Sequence, residues 1–444
     1  MLKQQSDSWQ LAWPDASLPV FTDGVTVVTA QQWQQQLHAV KRFIAMQPGD
    51  TVLLYQADPV LFSVWFIALC QLGKHIVLAP DGQPDTLNLA SAHSDWQVPQ
   101  APVRAEDNVF QPTLLLQSCS RVSFFTSGST GQPKLITKHL SQLLLEVQTL
   151  QQQFGSAFGG QTLFAATVSF QHIYGLLFRM LWPLCYGFTQ YRTQLSYLEQ
   201  WQALLQQYDV VLVASPAHLA RFDDVAILAP YTSRCQRIFS SGGPLNDVVP
   251  PRYVAALQQA PTEVFGSTET GGIAYRQRNT AEVAWQVFDG VAVSLGPEQA
   301  LQVSSAYLDN VGWFTTSDQV ALLTERSFRL IGRLDRIVKI EEKRLSLPEL
   351  EQYCLNSTLI NQVAAVVLTA TKSQLALAIV LSNQGEQLLK LHGKLALNQQ
   401  IKQHLLQRFE RVLLPRKFRY VASLPYNQQG KLPRSQLEAL FEHD

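Results

Sequence analysis

The chain has 444 residues, 46% of them hydrophobic, and its 34 Lys and Arg balance 34 Asp and Glu. A chain of this length buries a large core without covalent staples, and its apolar content excludes wholesale disorder. Zero net charge removes the broad electrostatic grip that nucleic acid or an anionic membrane requires. Five scattered cysteines with no CxxC pair point to reduced thiols in a cytoplasmic protein rather than to disulfides or zinc. The N-terminal segment lacks the apolar run of a signal peptide. The longest apolar stretch, residues 60–70, falls short of the ~20 residues of a membrane span.

In chain order, residues 51–55 read as a short strand, 59–72 as a helix stopped by Gly73, and 75–78 as a second strand. That succession predicts a βαβ unit and a parallel sheet. The apolar runs 122–125, 210–213, 237–239 and 263–265 predict further strands, with helices over 198–207 and 247–259. Beyond residue 324 the text becomes more charged. A helix is expected over 348–355, strands over 363–368 and 375–381, and a helix over 400–411. This predicts a large N-terminal α/β domain of layered sheets and helices, residues 1–334, and a small mobile α+β domain, residues 335–444.

The most informative local pattern is SFFTSGSTGQPK over residues 123–134. A strand enters a loop of Thr126, Ser127, Gly128, Ser129, Thr130 and Gly131, followed by Lys134. Glycines let main-chain N–H groups approach an anion closely, hydroxyls add donors, and the lysine adds a point charge. Such a loop suits phosphate. Its glycine spacing, and Pro133 before the lysine, do not fit the P-loop pattern of nucleotide triphosphatases.

This loop resembles the phosphate-binding signature of the AMP-forming acyl-activating superfamily, which includes acyl-CoA synthetases, peptide-synthetase adenylation domains and luciferases. Five further stretches resemble that superfamily's motifs in their usual order. They are SSGGPL at 240–245, FGSTE at 265–269, GWFTTSD at 312–318, GRLDRIVK at 332–339 and LPYNQQGK at 424–431. SFQHIYG at 169–175 is similar to a pocket segment of acyl- and aryl-CoA ligases. The chain is shorter than typical acyl-CoA synthetases. It looks more like the short ligases of carrier-protein-dependent lipid and aryl polyene pathways.

The resemblance implies ATP and Mg²⁺ as cofactors and a small carboxylic acid as substrate. The acid would be activated as an acyl-adenylate and passed to the thiol of CoA or of an acyl carrier protein. Gly242, Gly243, Pro244, Phe265 and Gly266 would lie at the adenine, and Phe265 is suited to stack on it. Thr268 would donate to the α-phosphate and Glu269 would hold the metal. Asp318 would accept from the ribose hydroxyls, with Arg333 beside it. Asp335 would be the hinge of a domain alternation, and Lys431 the mobile lysine that reaches acid and α-phosphate. His172, as a catalytic or wall residue, would line the acid pocket with Tyr174, Gly175, Thr270, Gly271, Gly272 and Ile273. Residues 167–175 carry no acidic group to hold a substrate amine, which favours an aryl or fatty acid over the alternative, an amino acid. A degenerate member that binds a nucleotide or a carrier without ligation is the other alternative.

Three positions depart from the superfamily pattern. Ser317 replaces a Gly, Pro433 replaces an Asp, and Glu342 stands where a Gly of the thiol-channel hairpin is usual. The last change puts the ordinary CoA-binding mode in question.

Overall fold

The computed structural model describes residues 2–13, 15–105, 109–127, 133–280, 283–309, 312–340, 343–369, 373–426 and 432–442. Two compact units are formed. The first takes residues 1–126, 133–292 and 304–314, and the second takes 127–132, 293–303 and 315–444. The expected domain boundary at 334/335 therefore falls inside the second unit.

The expected βαβ unit is present in the first. Strands Thr51–Leu54 and His75–Leu78 pair in parallel, Thr51 opposite His75, around the helix Pro59–Gln71. Asp58 caps that helix by accepting the N–H groups of Val60 and Leu61 at 2.8 and 3.1 Å, and Pro59 occupies its first turn. The helix is apolar on every side because it is buried on every side, from Val60 to Cys70 with Leu61 alone partly exposed. The sheet runs Pro133–His139, Arg121–Ser127, His75–Leu78, Thr51–Leu54, Trp96–Gln97. The strand that leads into the phosphate-type loop is thus parallel to the βαβ pair, His75 opposite Arg121.

A second sheet of this unit places Cys235–Ser240, Val210–Ala214 and Leu163–Ala166 side by side in parallel. All five residues of Val210–Ala214 are buried, as expected of a central strand covered on both faces. Thr262–Ser267 continues the sheet in parallel. Gly271–Gln277 then returns antiparallel to it, which makes a hairpin with Thr268, Glu269 and Thr270 at the tip.

Strands Val291–Leu295, Ala300–Ser305, Phe314–Thr324 and Ser327–Arg333, most of whose residues fall in the second unit, neighbour one another in chain order. Ile337–Ile340 and Lys343–Ser346 form a separate antiparallel pair. Ile360–Thr369, Ser373–Leu381 and Lys417–Tyr420 form a three-stranded sheet. Its core includes Leu350, Leu377, Ile379, Leu397, Ile401 and Leu405. The helix expected over 400–411 is instead a run from Asn383 to Leu406, broken at Gly393, where φ is +75°. The chain leaves the helix after Leu406, and Phe409 packs into the core from outside it. No described helix is long and apolar enough to cross a membrane. All five cysteines are free, and Cys119 alone is exposed.

Candidate active site

The hairpin tip gives the FGSTE stretch its shape. The pairing shifts register between Phe265 and Gly266, so that Gly266 faces Gly272 and Ser267 faces Gly271. A Cβ on Gly266 would fall 2.2 Å from the carbonyl oxygen of Gly271, so only glycine lets the two strands close here. Thr270 is buried and locks the turn. Its hydroxyl accepts the Ser267 N–H at 3.1 Å, and its own N–H donates to Ser267 Oγ at 3.2 Å. Thr268 and Glu269 are left half-buried at the apex.

The turn expected at the adenine lies beside this hairpin. Ser241 Oγ donates to the Val264 carbonyl at 2.8 Å, and Gly242 takes φ +91°. Gly242, Gly243 and Pro244 are exposed. Arg278 reaches from the return strand to the Leu245 carbonyl at 2.7 Å and also pairs with Asp247. Glu263 is 4% exposed. It is held by two Arg276 nitrogens, Nε and a terminal one, at 3.1 and 3.0 Å and by Arg278 Nε at 2.6 Å. Phe265 is half-buried, its ring centroid 5.3 Å from Trp285, and Arg276 covers the other ring at 4.3 Å. One ion network, with Glu263 buried at its centre, thus ties the Ser241–Leu245 turn to the strand that carries Phe265.

Of the phosphate-type loop, Gly128, Ser129, Thr130 and Gly131 lie outside the described residues, as does the side chain of Ser127. At its base Thr126 Oγ1 donates to the Lys134 carbonyl at 3.2 Å, and Lys134 is exposed. Lys431 and Glu342 also lie outside the described residues.

In the segment expected to line the acid pocket, His172 is half-buried, and its carbonyl accepts the Leu176 N–H at 2.7 Å. The Tyr174 hydroxyl donates to the Ala214 carbonyl at 3.2 Å, and its ring lies 4.9 Å from Phe178. Phe178 contacts Phe239, and Phe239 contacts Phe154, both at 5.1 Å. Gly175 is required by packing: a Cβ there would sit 1.9 Å from the Ser169 carbonyl oxygen. On the hairpin side, Gly271, Gly272 and Ile273 are buried. A Cβ on Gly272 would meet Phe288 at 3.3 Å.

In the second unit, Asp318 and Arg333 are cross-strand partners. Arg333 donates to Asp318 Oδ1 at 3.2 Å and forks onto both oxygens of Asp335, at 2.9 and 2.6 Å. Burial raises the Asp318 carboxyl, and Arg333 opposes that rise. The residues expected at ribose and hinge are therefore one ion network.

Sequence reasoning passed over Lys138, Gln142, Glu146 and Thr149, which the structure brings to the hairpin and to Tyr307 and Asp309. Their signal was a polar recurrence at helical spacing inside an apolar segment, Leu140 to Leu150.

The AMP-binding enzyme family matches residues 73–295, and the chain belongs to that family. Among curated proteins it is similar to a probable CoA ligase of Humulus lupulus, 24% identical over 361 residues, which are 70% of this chain and 62% of that protein. It is also similar to a 4-chlorobenzoate–CoA ligase of Arthrobacter, 24% identical over 346 residues, 71% of this chain and 65% of that protein. The chain thus spans less than two thirds of the length of these relatives. Among solved structures, ATP-bound MatB from Rhodopseudomonas palustris superposes with a TM-score of 0.77 at 15% identity, over 97% of each chain, so the two share a fold.

Proposed function

We propose that this chain is an ATP-dependent, AMP-forming carboxylic acid ligase. In this reading the acid carboxylate attacks the α-phosphorus of ATP, pyrophosphate leaves, and the acyl-adenylate passes its acyl group to a phosphopantetheine thiol of CoA or a carrier protein, releasing AMP. The observation that carries it is the glycine-closed hairpin, which holds Thr268 and Glu269 half-buried at one apex beside the Ser241–Leu245 turn. Thr268 then donates to the α-phosphate. Glu269 suits Mg²⁺, which takes one or two carboxylates plus phosphate oxygens. No cluster of three acidic, His or Cys side chains that would suit a metal held by protein alone occurs among the described residues. Bound there, the ion would offset charge on the phosphates.

The aromatic side chains around Tyr174, and the lack of an acidic residue at 167–175, support an aryl or fatty acid. The CoA ligases among the relatives support a thiol acceptor. Asp335 serves as hinge in this reading, since an exposed ion pair is readily exchanged. Free cysteines accord with a cytoplasmic enzyme.

Acid-dependent ATP–pyrophosphate exchange over benzoates, cinnamates, fatty acids and amino acids tests this function. Exchange is expected with aryl or fatty acids. The variant Lys431→Ala is expected to lower it by about 10²–10³, the scale of losing one preorganised donor. Exchange with no acid, or near-normal exchange in the variant, would contradict the proposal or the role of the lysine, respectively.

A further inference from the structure

The helix Leu140–Phe154 buries Leu143, Leu144, Val147 and Leu150, as an amphipathic helix should. It also buries two polar residues, Gln142 and Glu146. With Lys138 just ahead of the helix and Thr149 further along, they form a stripe at intervals of four, four and three residues. Buried polar side chains are costly without partners, and here each has one. The Lys138 ammonium donates to the Glu269 carbonyl and, at 2.7 Å, to the Tyr307 carbonyl. The Gly272 N–H donates to Glu146 Oε1 at 2.7 Å. Gln142 donates to Asp309 at 2.9 Å, and Thr149 meets the Tyr307 hydroxyl at 2.6 Å. The hairpin apex is thus gripped on both sides, at Glu269 by the Lys138 ammonium and at Gly272 by the Glu146 carboxyl group. Gly271 takes φ +68°, and a Cβ there would lie 2.7 Å from Glu146 Oε2, so the position favours glycine.

We propose that Lys138 and Glu146 are positioning residues that fix the Thr268–Glu269 apex for the acid-activating step. This deepens the proposed function and rests on it. Lys138 anchors the main chain of Glu269 through a charge-assisted bond, and the Glu269 side chain stays half-buried at the apex. Glu269 would then hold a divalent cation from a fixed backbone position, and the ion would supply positive charge against the phosphates.

The test compares wild type with Lys138→Met and with Lys138→Met/Glu146→Gln. The double variant leaves no unpaired buried charge, so it is the one expected to fold normally. Three readouts are taken: thermal midpoint, amide hydrogen exchange of residues 262–277, and the Mg²⁺ concentration for half-maximal pyrophosphate exchange. The double variant should keep a thermal midpoint within a few degrees of wild type. Its amides at 267–272 should exchange roughly tenfold faster or more, and its Mg²⁺ midpoint should rise about threefold or more, with the acid KM unchanged. Wild-type protection at 267–272 in the double variant, or a wild-type Mg²⁺ midpoint, would overturn the proposal. If wild type exchanges pyrophosphate with no acid, the functional reading fails, and hydrogen exchange alone decides the clamp.

Discussion

Two arginine–carboxylate networks, one in each unit, are built in opposite ways. In the first unit one carboxylate, Glu263, is 5% exposed in its side chain and lies between Arg276 and Arg278. In the second unit one guanidinium, Arg333, is 48% exposed and lies between Asp318 and Asp335. Burial makes the first network rigid: once desolvated, the carboxylate has no substitute for its two cations. It therefore works as scaffold, tying the Leu245 carbonyl and the Phe265 strand together. Exposure of Arg333 and Asp335 makes the second exchangeable, because water competes for that pair, although Asp318 is largely buried. The same chemistry serves as a fixed brace where it is dry and as a releasable contact where it is wet.

Removing the brace is the severest test of that contrast. Glu263→Gln removes the buried carboxylate that Arg276 and Arg278 share, leaving Arg278 only the exposed Asp247, and should destabilise the protein by about 3 kcal/mol or more, read as a lowered urea midpoint. A loss below 1 kcal/mol would show that the buried network is no more than a surface pair.

A second, smaller effect comes from Glu146. Burial pushes its carboxyl up from the ordinary 4.5 to about 7, against the Gly272 N–H and Lys138, which favour the charged form. Tyr307 also faces it, and burial lowers the Lys138 ammonium. Between about pH 4.5 and 7 the unfolded chain gives up a proton that the folded chain keeps. Stability must therefore fall as pH rises through that window, by about 3 kcal/mol at most, and level off above it. Glu146→Gln removes this dependence. Relative to wild type, the variant should gain stability between pH 5 and pH 8 in urea titrations, and parallel pH profiles would contradict the assignment.

The smallest stability effect is expected at the exposed network. Arg333→Lys replaces the fork with a point charge. It should move the urea midpoint by less than about 1 kcal/mol, with salt reducing the difference. AMP binding measured by calorimetry should nonetheless weaken if Asp318 and Arg333 serve the ribose. A large loss of stability would make the two networks equivalent and remove the contrast.

What was legible in the sequence follows the same division between periodic burial and local contact. The strand–helix–strand over 51–78 was readable because Pro59 and Gly73 bound an apolar helical run between two short strand-like runs. The hairpin was readable as a motif, but its cause, the approach of Gly266 to the Gly271 carbonyl, needs a partner strand that no local pattern reveals. The long helix in the second unit was missed in its first half. Leu391 and Leu395 are exposed and Gly393 breaks the run, so no single apolar face marks it. The helix over 247–259 is shorter, Val249–Leu257, because Gln258 turns left-handed at φ +57°. The Lys138 stripe had helical spacing, but its partners lie more than a hundred residues away along the chain.

The central claim, acid activation through an adenylate, is tested most directly by the fate of the α-phosphate. The protein is incubated with α-phosphorus-labelled ATP, Mg²⁺ and an aryl or fatty acid, without a thiol, then quenched and analysed by mass and label. The account predicts an enzyme-held acyl-adenylate that carries the label, formed with one pyrophosphate each and discharged to labelled AMP when a phosphopantetheine thiol is added. Labelled ADP with free phosphate, or intact ATP with every acid, would contradict it.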